Sequence, residues 1–413
     1  MNIAAADVDH PQQARRGDAD WLSLALMDAR NHTLRWLAAF ESVPASALRP
    51  LGVAGLEPPA WLAGHAAWWQ EWWITRHVQT QRGEACDARR PRLASIDPRA
   101  DALFDPGLDR AAARWSRELP SPQALRDYMA GTLEAVLELL AGADGDDALH
   151  FPRLALWLED RLADRFAEAA QALGLPLADA PIAAQPARAE REAIGWPAQR
   201  MRLGTARDGL VGLVPPAERG VQWLQLPEFE IDAQPVNWLR FAEFVEDGGY
   251  DERRFWTEAG WAWVQAHGRR APHHVEQLRG GVLLQRFGRM QRAAGRQAAV
   301  HLTQHEAQAW CRWAGRRLPL EAEWELAATR GGSRGFVWGD VFEWTAGRAE
   351  PWAGADAALP PPGWPADAMP DSRRAVLRGA AWTGRARQRL AQARRFADPS
   401  EDSGFTGFRS CAA

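Results

Sequence analysis

The sequence predicts a multidomain α and α+β protein, a four-helix bundle followed by an irregular α+β domain, on three observations. Its 413 residues exceed what one hydrophobic core ordinarily organises. From Trp21 to about Leu175 the chain is rich in Ala, Leu and Trp, apolar residues recur at intervals of three and four, and β-branched runs are few, as amphipathic helices require. Beyond residue 200, Gly, Pro and Trp become frequent and short apolar stretches alternate with turns.

Residues 1–19 are polar, lack the apolar core of a signal peptide and are expected to be disordered. Helices are predicted over 20–42, 60–82, 122–142 and 150–173, separated by stretches such as Pro58-Pro59 and Pro120-Ser121-Pro122. Ser121 reads as an N-cap with Pro122 at the first helical position. The fourth helix stops at Gly174, with Pro176 just beyond. The bundle is therefore assigned to 20–176. Residues 177–200 carry Pro181, Pro186 and Pro197 without a sustained apolar pattern and read as a linker. In the second domain, 201–413, Val211–Val214 and Val221–Leu226 are short apolar stretches, and helices are expected at 235–247 and 303–315.

Composition narrows the function. The formal charge is −4 with both signs interspersed, so the basic stripe that nucleic-acid binding needs is missing. No apolar run reaches the roughly 18 residues of a membrane span, and a soluble cytoplasmic protein is expected. Cys86, Cys311 and Cys411 lie too far apart in sequence for a zinc knuckle and read as free buried thiols. There are 23 tryptophans but only two tyrosines, Tyr128 and Tyr250, so none follows position 250.

Four ordered segments of the second domain resemble the formylglycine-generating-enzyme fold, an irregular C-type-lectin-like α+β architecture. They are Phe229 to Val245, Val300 to Glu325, Val341-Phe-Glu-Trp-Thr345 and Phe405-Thr-Gly-Phe-Arg-Ser-Cys411. The first domain resembles a DinB-like bundle. Trp61-Leu-Ala-Gly-His65-Ala-Ala-Trp-Trp-Gln-Glu71 is similar to the helix carrying the first iron ligand of ergothioneine-type sulfoxide synthases. Residues Arg99 to Trp115 are most similar to the selenoneine synthase branch. The resemblance spans about residues 20 to 411. It implies an Fe(II) held by three histidines between the domains, activating O2 and joining a thiol or selenol to the imidazole of a histidine derivative.

That family's second ligand motif is His-x-x-x-His-x-Glu, and here Leu158 and Leu162 stand at both histidine positions, beside His65 at the first. Positions i and i+4 share one helix face, which is why two histidines there chelate one ion. Leucine has no lone pair to offer. Leu154, Leu158, Leu162, Phe166 and Leu173 instead extend an apolar stripe and read as bundle core. His150 and His77 lie two and three turns from the ligand positions, too remote to substitute. Glu159, Asp160 and Asp164 are expected to face solvent or bridge to arginines.

The resemblance also implies a tyrosine in the loop after Glu-Trp-Thr. Here that loop, Ala349-Glu-Pro-Trp352-Ala-Gly354, offers an indole, which stacks but cannot donate a phenolic proton. Arg378-Gly-Ala-Ala-Trp382 replaces the family's Arg-Gly-Gly-Ser-Phe. By position, Trp352, Arg394, Asp402 and Arg409 are candidates for binding an amino-acid-like ligand, with ion pairing as their structural alternative. His273-His274 reads as an exposed loop. Two functions follow: an Fe(II)-dependent synthase forming a carbon-selenium or carbon-sulfur bond on histidine or its betaine, or a metal-free binding or regulatory relative partnered by an active paralogue. Formylglycine generation would need a reactive cysteine pair in the tail, where only Cys411 lies.

Overall fold

The computed structural model describes residues 8–48, 55–206, 211–355 and 359–413. Eight helices form the first half: α1 (Pro11–Arg16), α2 (Ala19–Glu41), α3 (Pro59–Gln70), α4 (Ala100–Phe104), α5 (Ala111–Arg114), α6 (Pro122–Leu140), α7 (Gly145–Asp160) and α8 (Leu162–Ala172). The long ones begin where local chemistry satisfies free N–H groups. Asp18 accepts from Trp21 N, and Ser121 accepts from Ala124 N with Pro122 in the first turn. Gly174, at φ 63°, ends the last helix as a left-handed cap. After Gln70, α3 widens into one π turn, Glu71–Thr75. The Glu71 carboxylate is buried there and accepts from Ile96 N (2.6 Å), Ser95 Oγ (2.7 Å) and Tyr128 Oη (2.8 Å).

Three expectations for this half change. The stretch expected to be disordered up to residue 19 contains α1, whose Arg15 pairs with Glu218 of the second half at 2.6 Å; residues 1–7 lie outside the described set. The helix expected over 60–82 leaves α-geometry at Glu71. The one expected over 150–173 is two helices, starting earlier at Gly145 and broken at Arg161.

The second half contains β1 (Ile194–Trp196), β2 (Gln199–Leu203), β3 (Gln222–Leu226), β4 (Phe229–Ile231), α9 (Trp238–Glu246), α10 (Glu258–His267), β5 (Val275–Gln277), β6 (Leu283–Arg286), β7 (Arg289–Arg292), α11 (Gln304–Trp313), β8 (Arg316–Arg317), α12 (Glu321–Arg330), β9 (Phe342–Arg348), β10 (Ala375–Gly379), β11 (Arg394–Ala397), β12 (Thr406–Phe408) and β13 (Cys411–Ala412). Their sheets are small: β1-β4-β13-β8, β11-β10-β9-β12, the pair β2-β3 and the meander β5-β6-β7. In the second of these, β9 and β11 run antiparallel to β10, and β12 runs parallel to β9. A capping box between Thr303 and Glu306 starts α11. Part of the expected linker is ordered, since β1 begins at Ile194 and Arg188 pairs with Asp340 at 2.7 Å. Val211–Val214 forms no strand.

One apolar cluster runs through both halves, from Trp21 and Phe166 to Trp364, Trp382 and Phe408. Its continuity fixes the bundle against the β11-β10-β9-β12 sheet. No described helix is long and apolar enough to cross a membrane.

Candidate interdomain binding site

The His65 ring stacks between Trp61 (centroids 4.9 Å) and Trp68 (5.6 Å), one turn before it and one turn after it on α3. Its Nδ1 lies 2.9 Å from the Phe104 carbonyl, which can only accept, so the proton sits on Nδ1 and the Nε2 lone pair is left over. Burial lowers its pKa and keeps the ring neutral. This is the tautomer a ligating histidine uses.

Nothing completes a ligand set around it. Leu162 is 8% exposed and belongs to the apolar cluster, and half-buried Leu158 packs against the same cluster. Leu154 and Phe166 are fully buried on that stripe. Among the described residues, no three His, Cys, Asp or Glu side chains gather where they could hold a metal ion.

The neighbouring face of α7 and α8 looks into a cavity of about 510 Å³ between the halves. Trp157, Arg161, Asp164, Arg165 and Glu168 form one wall; Asp367, Arg374, Arg387, Arg394 and Arg395 contribute to the other. Most of these charges are tied across the junction. Arg161 pairs with Asp367 at 2.7 Å, and its guanidinium holds that carboxyl down at about 2. Asp164 accepts from Thr383 Oγ1 (2.6 Å) and lies 3.5 Å from Arg395; burial still pushes its pKa up. Arg395 reaches Glu168 at 3.0 Å. Just behind, Arg387 grips both oxygens of Asp160 (2.6 and 2.8 Å), and Arg30 pairs with Glu159 at 2.7 Å inside the bundle. Glu159 and Asp160 are each 2% exposed, so both bridge to arginines and neither faces solvent.

The four candidate ligand-binding residues fall in separate places. Trp352 and Arg394 come together, guanidinium over indole at 4.0 Å. Arg394 is already engaged by Glu321 (2.9 and 3.0 Å) and by the carbonyls of Ala217 and Glu350. Arg409 is fully buried against Glu343 at 2.5 Å. Asp402 bonds Arg269 and lies 3.2 Å from His273. Of the four, only Arg394 borders the interdomain cavity. His273 and His274 are half-buried, not exposed, with rings stacked at 3.8 Å and His274 against His301 at 4.9 Å. Cys86, Cys311 and Cys411 are free and buried.

Sequence reasoning passed over Asp367, Arg374, Thr383, Arg387 and Arg395. Their signal was the run of acids and arginines over 159–168, which lies too densely on a bundle helix to leave every charge without a partner from elsewhere.

Residues 185–340, most of the second half, match the model of the sulfatase-modifying factor enzyme 1-like domain. An inactive C-alpha-formylglycine-generating enzyme 2 of Bos taurus is 33% identical over 167 residues, covering 36% of this chain and 52% of that protein. The similarity to hercynine oxygenases reaches much further. That of Mycolicibacterium smegmatis is 30% identical over 339 residues, covering 79% of this chain and 73% of its own length. That of Mycolicibacterium thermoresistibile is 30% identical over 363 residues, covering 83% and 73%. The chain belongs to the hercynine oxygenase family.

The Fe(II) that the resemblance implies does not fit the residues present. One imidazole remains of the three expected, two ligand positions are hydrocarbon, and Asp164 and Glu168 of the interdomain cavity already share a guanidinium.

Proposed function

We propose that this chain is a metal-free relative within ergothioneine- or selenoneine-type biosynthesis. It binds a small amino-acid-like zwitterion, histidine or its trimethyl betaine, or the thiol or selenol donor, in the interdomain cavity. The observation that carries this reading is the pair of leucines at the family's iron-ligand positions, Leu162 buried in the apolar cluster and half-buried Leu158 packed against it. The cavity supports a zwitterionic ligand because its wall mixes both charge signs. Arg374 stands in that wall half-buried and without a side-chain ion pair among the described residues, free to take a carboxylate. An active paralogue is the partner such a protein would serve.

The competing reading is an Fe(II)-dependent synthase forming a carbon-sulfur or carbon-selenium bond. One observation favours it, the ligand-ready tautomer of His65. Titration calorimetry in the presence of a chelator tests the proposed reading. Histidine or its betaine should bind at up to millimolar concentration, weakened about tenfold or more by Arg374→Ala, as loss of a charge-assisted contact gives. Absence of binding by histidine, the betaine, glutathione-type thiols and selenosugars contradicts it.

A further inference from the structure

We propose that the interdomain cavity selects a primary ammonium over a quaternary one, so that its zwitterion is histidine itself rather than the trimethyl betaine. A quaternary nitrogen has no N–H to donate, and its usual seat is the open face of an aromatic ring. Among the described residues, three aromatic rings line the cavity, Trp157, Phe342 and Phe396, and an arginine stands over each. Arg161 lies over Trp157 and Arg395 over Phe342, both at 4.4 Å, and Arg394 lies over Phe396 at 5.1 Å. These arginines line the cavity too, and ion pairs with Asp367, Glu168 and Glu321 hold them in place. Phe342 and Phe396 are also buried, and Trp364 meets Trp157 edge-on at 5.3 Å. The π faces that would seat a trimethylammonium therefore already hold the chain's own cations.

An ammonium that carries N–H groups has acceptors instead. Asp398 and Glu401 line the same cavity and, among the described residues, pair with no arginine. Ser400 bonds Oδ1 of Asp398, and Ser403 bonds Oε1 of Glu401, so each carboxylate keeps its second oxygen for a ligand. A primary ammonium reaches such oxygens through charge-assisted hydrogen bonds, whereas methyl groups hold a betaine nitrogen away from them. This inference rests on the zwitterion reading proposed above and narrows it.

Titration calorimetry of the full chain with histidine and with its trimethyl betaine, both in the presence of a chelator, tests it. Wild type should bind histidine about tenfold tighter or more. Arg161→Ala uncovers Trp157 and should abolish that preference, whereas Arg161→Lys keeps a cation over the ring and should retain it. The Asp367 carboxylate freed in Arg161→Ala attracts both ligands, so the ratio of the two affinities reports the ring. Glu401→Gln should weaken histidine several-fold and leave the betaine little changed. Circular dichroism and a thermal melt establish that each variant is folded, and Arg161→Gln replaces Arg161→Ala if the latter does not fold. The proposal is overturned if wild type binds the betaine as tightly as histidine, or if the preference is unchanged in the folded variant that uncovers Trp157. If wild type binds neither ligand, the zwitterion reading fails on its own, and this inference survives only if uncovering Trp157 brings betaine binding.

Discussion

A histidine whose free Nε2 could bind metal is accompanied by two leucines, at the family's other two ligand positions, that cannot. The Phe104 carbonyl fixes the His65 proton at 2.9 Å, so the imidazole needs no rearrangement to accept an ion. Leu158→His with Leu162→His should therefore raise Fe(II) affinity measurably above wild type. It should also destabilise the bundle, since burial of Leu162 alone contributes about 1.5–3 kcal/mol. A folded double variant that binds no more Fe(II) than wild type contradicts the assignment of this helix. The substitutions were legible in the sequence, because residue type alone decides whether a lone pair exists. The tautomer was not, because it is set by a carbonyl 39 residues away. Nor was the partner of Arg394, since its stack on Trp352 was within reach of a positional argument but Glu321 was not.

At the scale of elements, the helix read as one piece is two, and its charged face decides how the halves meet. Arg387 and Asp160 have fully buried side chains in bidentate contact, and Arg387 also holds Asp28 at 2.8 Å. Arg387→Ala leaves a buried carboxylate without its counter-charge and should cost about 3–5 kcal/mol in urea unfolding, far more than a surface pair. A loss under 1 kcal/mol, the range of exposed pairs, would show that the pair is not the junction described. Capping chemistry made α6 legible, through Ser121 and Pro122, and hydrophobic spacing made α2, α9 and α11 legible. Helices α10 and α12 escaped. Their amphipathic contrast is low for different reasons: α10 carries Trp261, Trp263 and Val264 around its circumference, whereas α12 buries Glu321, Glu323 and Glu325 among Trp324, Leu326 and Ala327.

At the scale of the whole molecule, burial holds His150 and His274 neutral over a wide pH range. Burial lowers His150 and His274 from 6.5 to about 4. The unfolded chain takes up these protons near pH 6.5 and the folded chain only near pH 4, so this contribution to stability is present above 6.5 and lost as pH falls towards 4. Glu306, pushed up to about 7 by burial, acts in the opposite sense between 4.5 and 7. His274→Gln isolates the first effect. Between pH 6.5 and 4 its melting temperature should decline less than that of wild type, with His273, Asp402 and Arg269 left in place around it. Equal slopes contradict the assignment. The two-part architecture was legible because helix and strand periodicities differ along the chain. The interdomain cavity was not, because its walls are brought together from residues 157–168 and 367–395 only by the fold. The central claim, a hercynine-oxygenase fold without the family's metal centre, is tested most directly by elemental analysis after anaerobic loading with Fe(II). The account predicts far less than one iron per chain, unchanged by His65→Ala. One iron per chain, lost on His65→Ala, would contradict it.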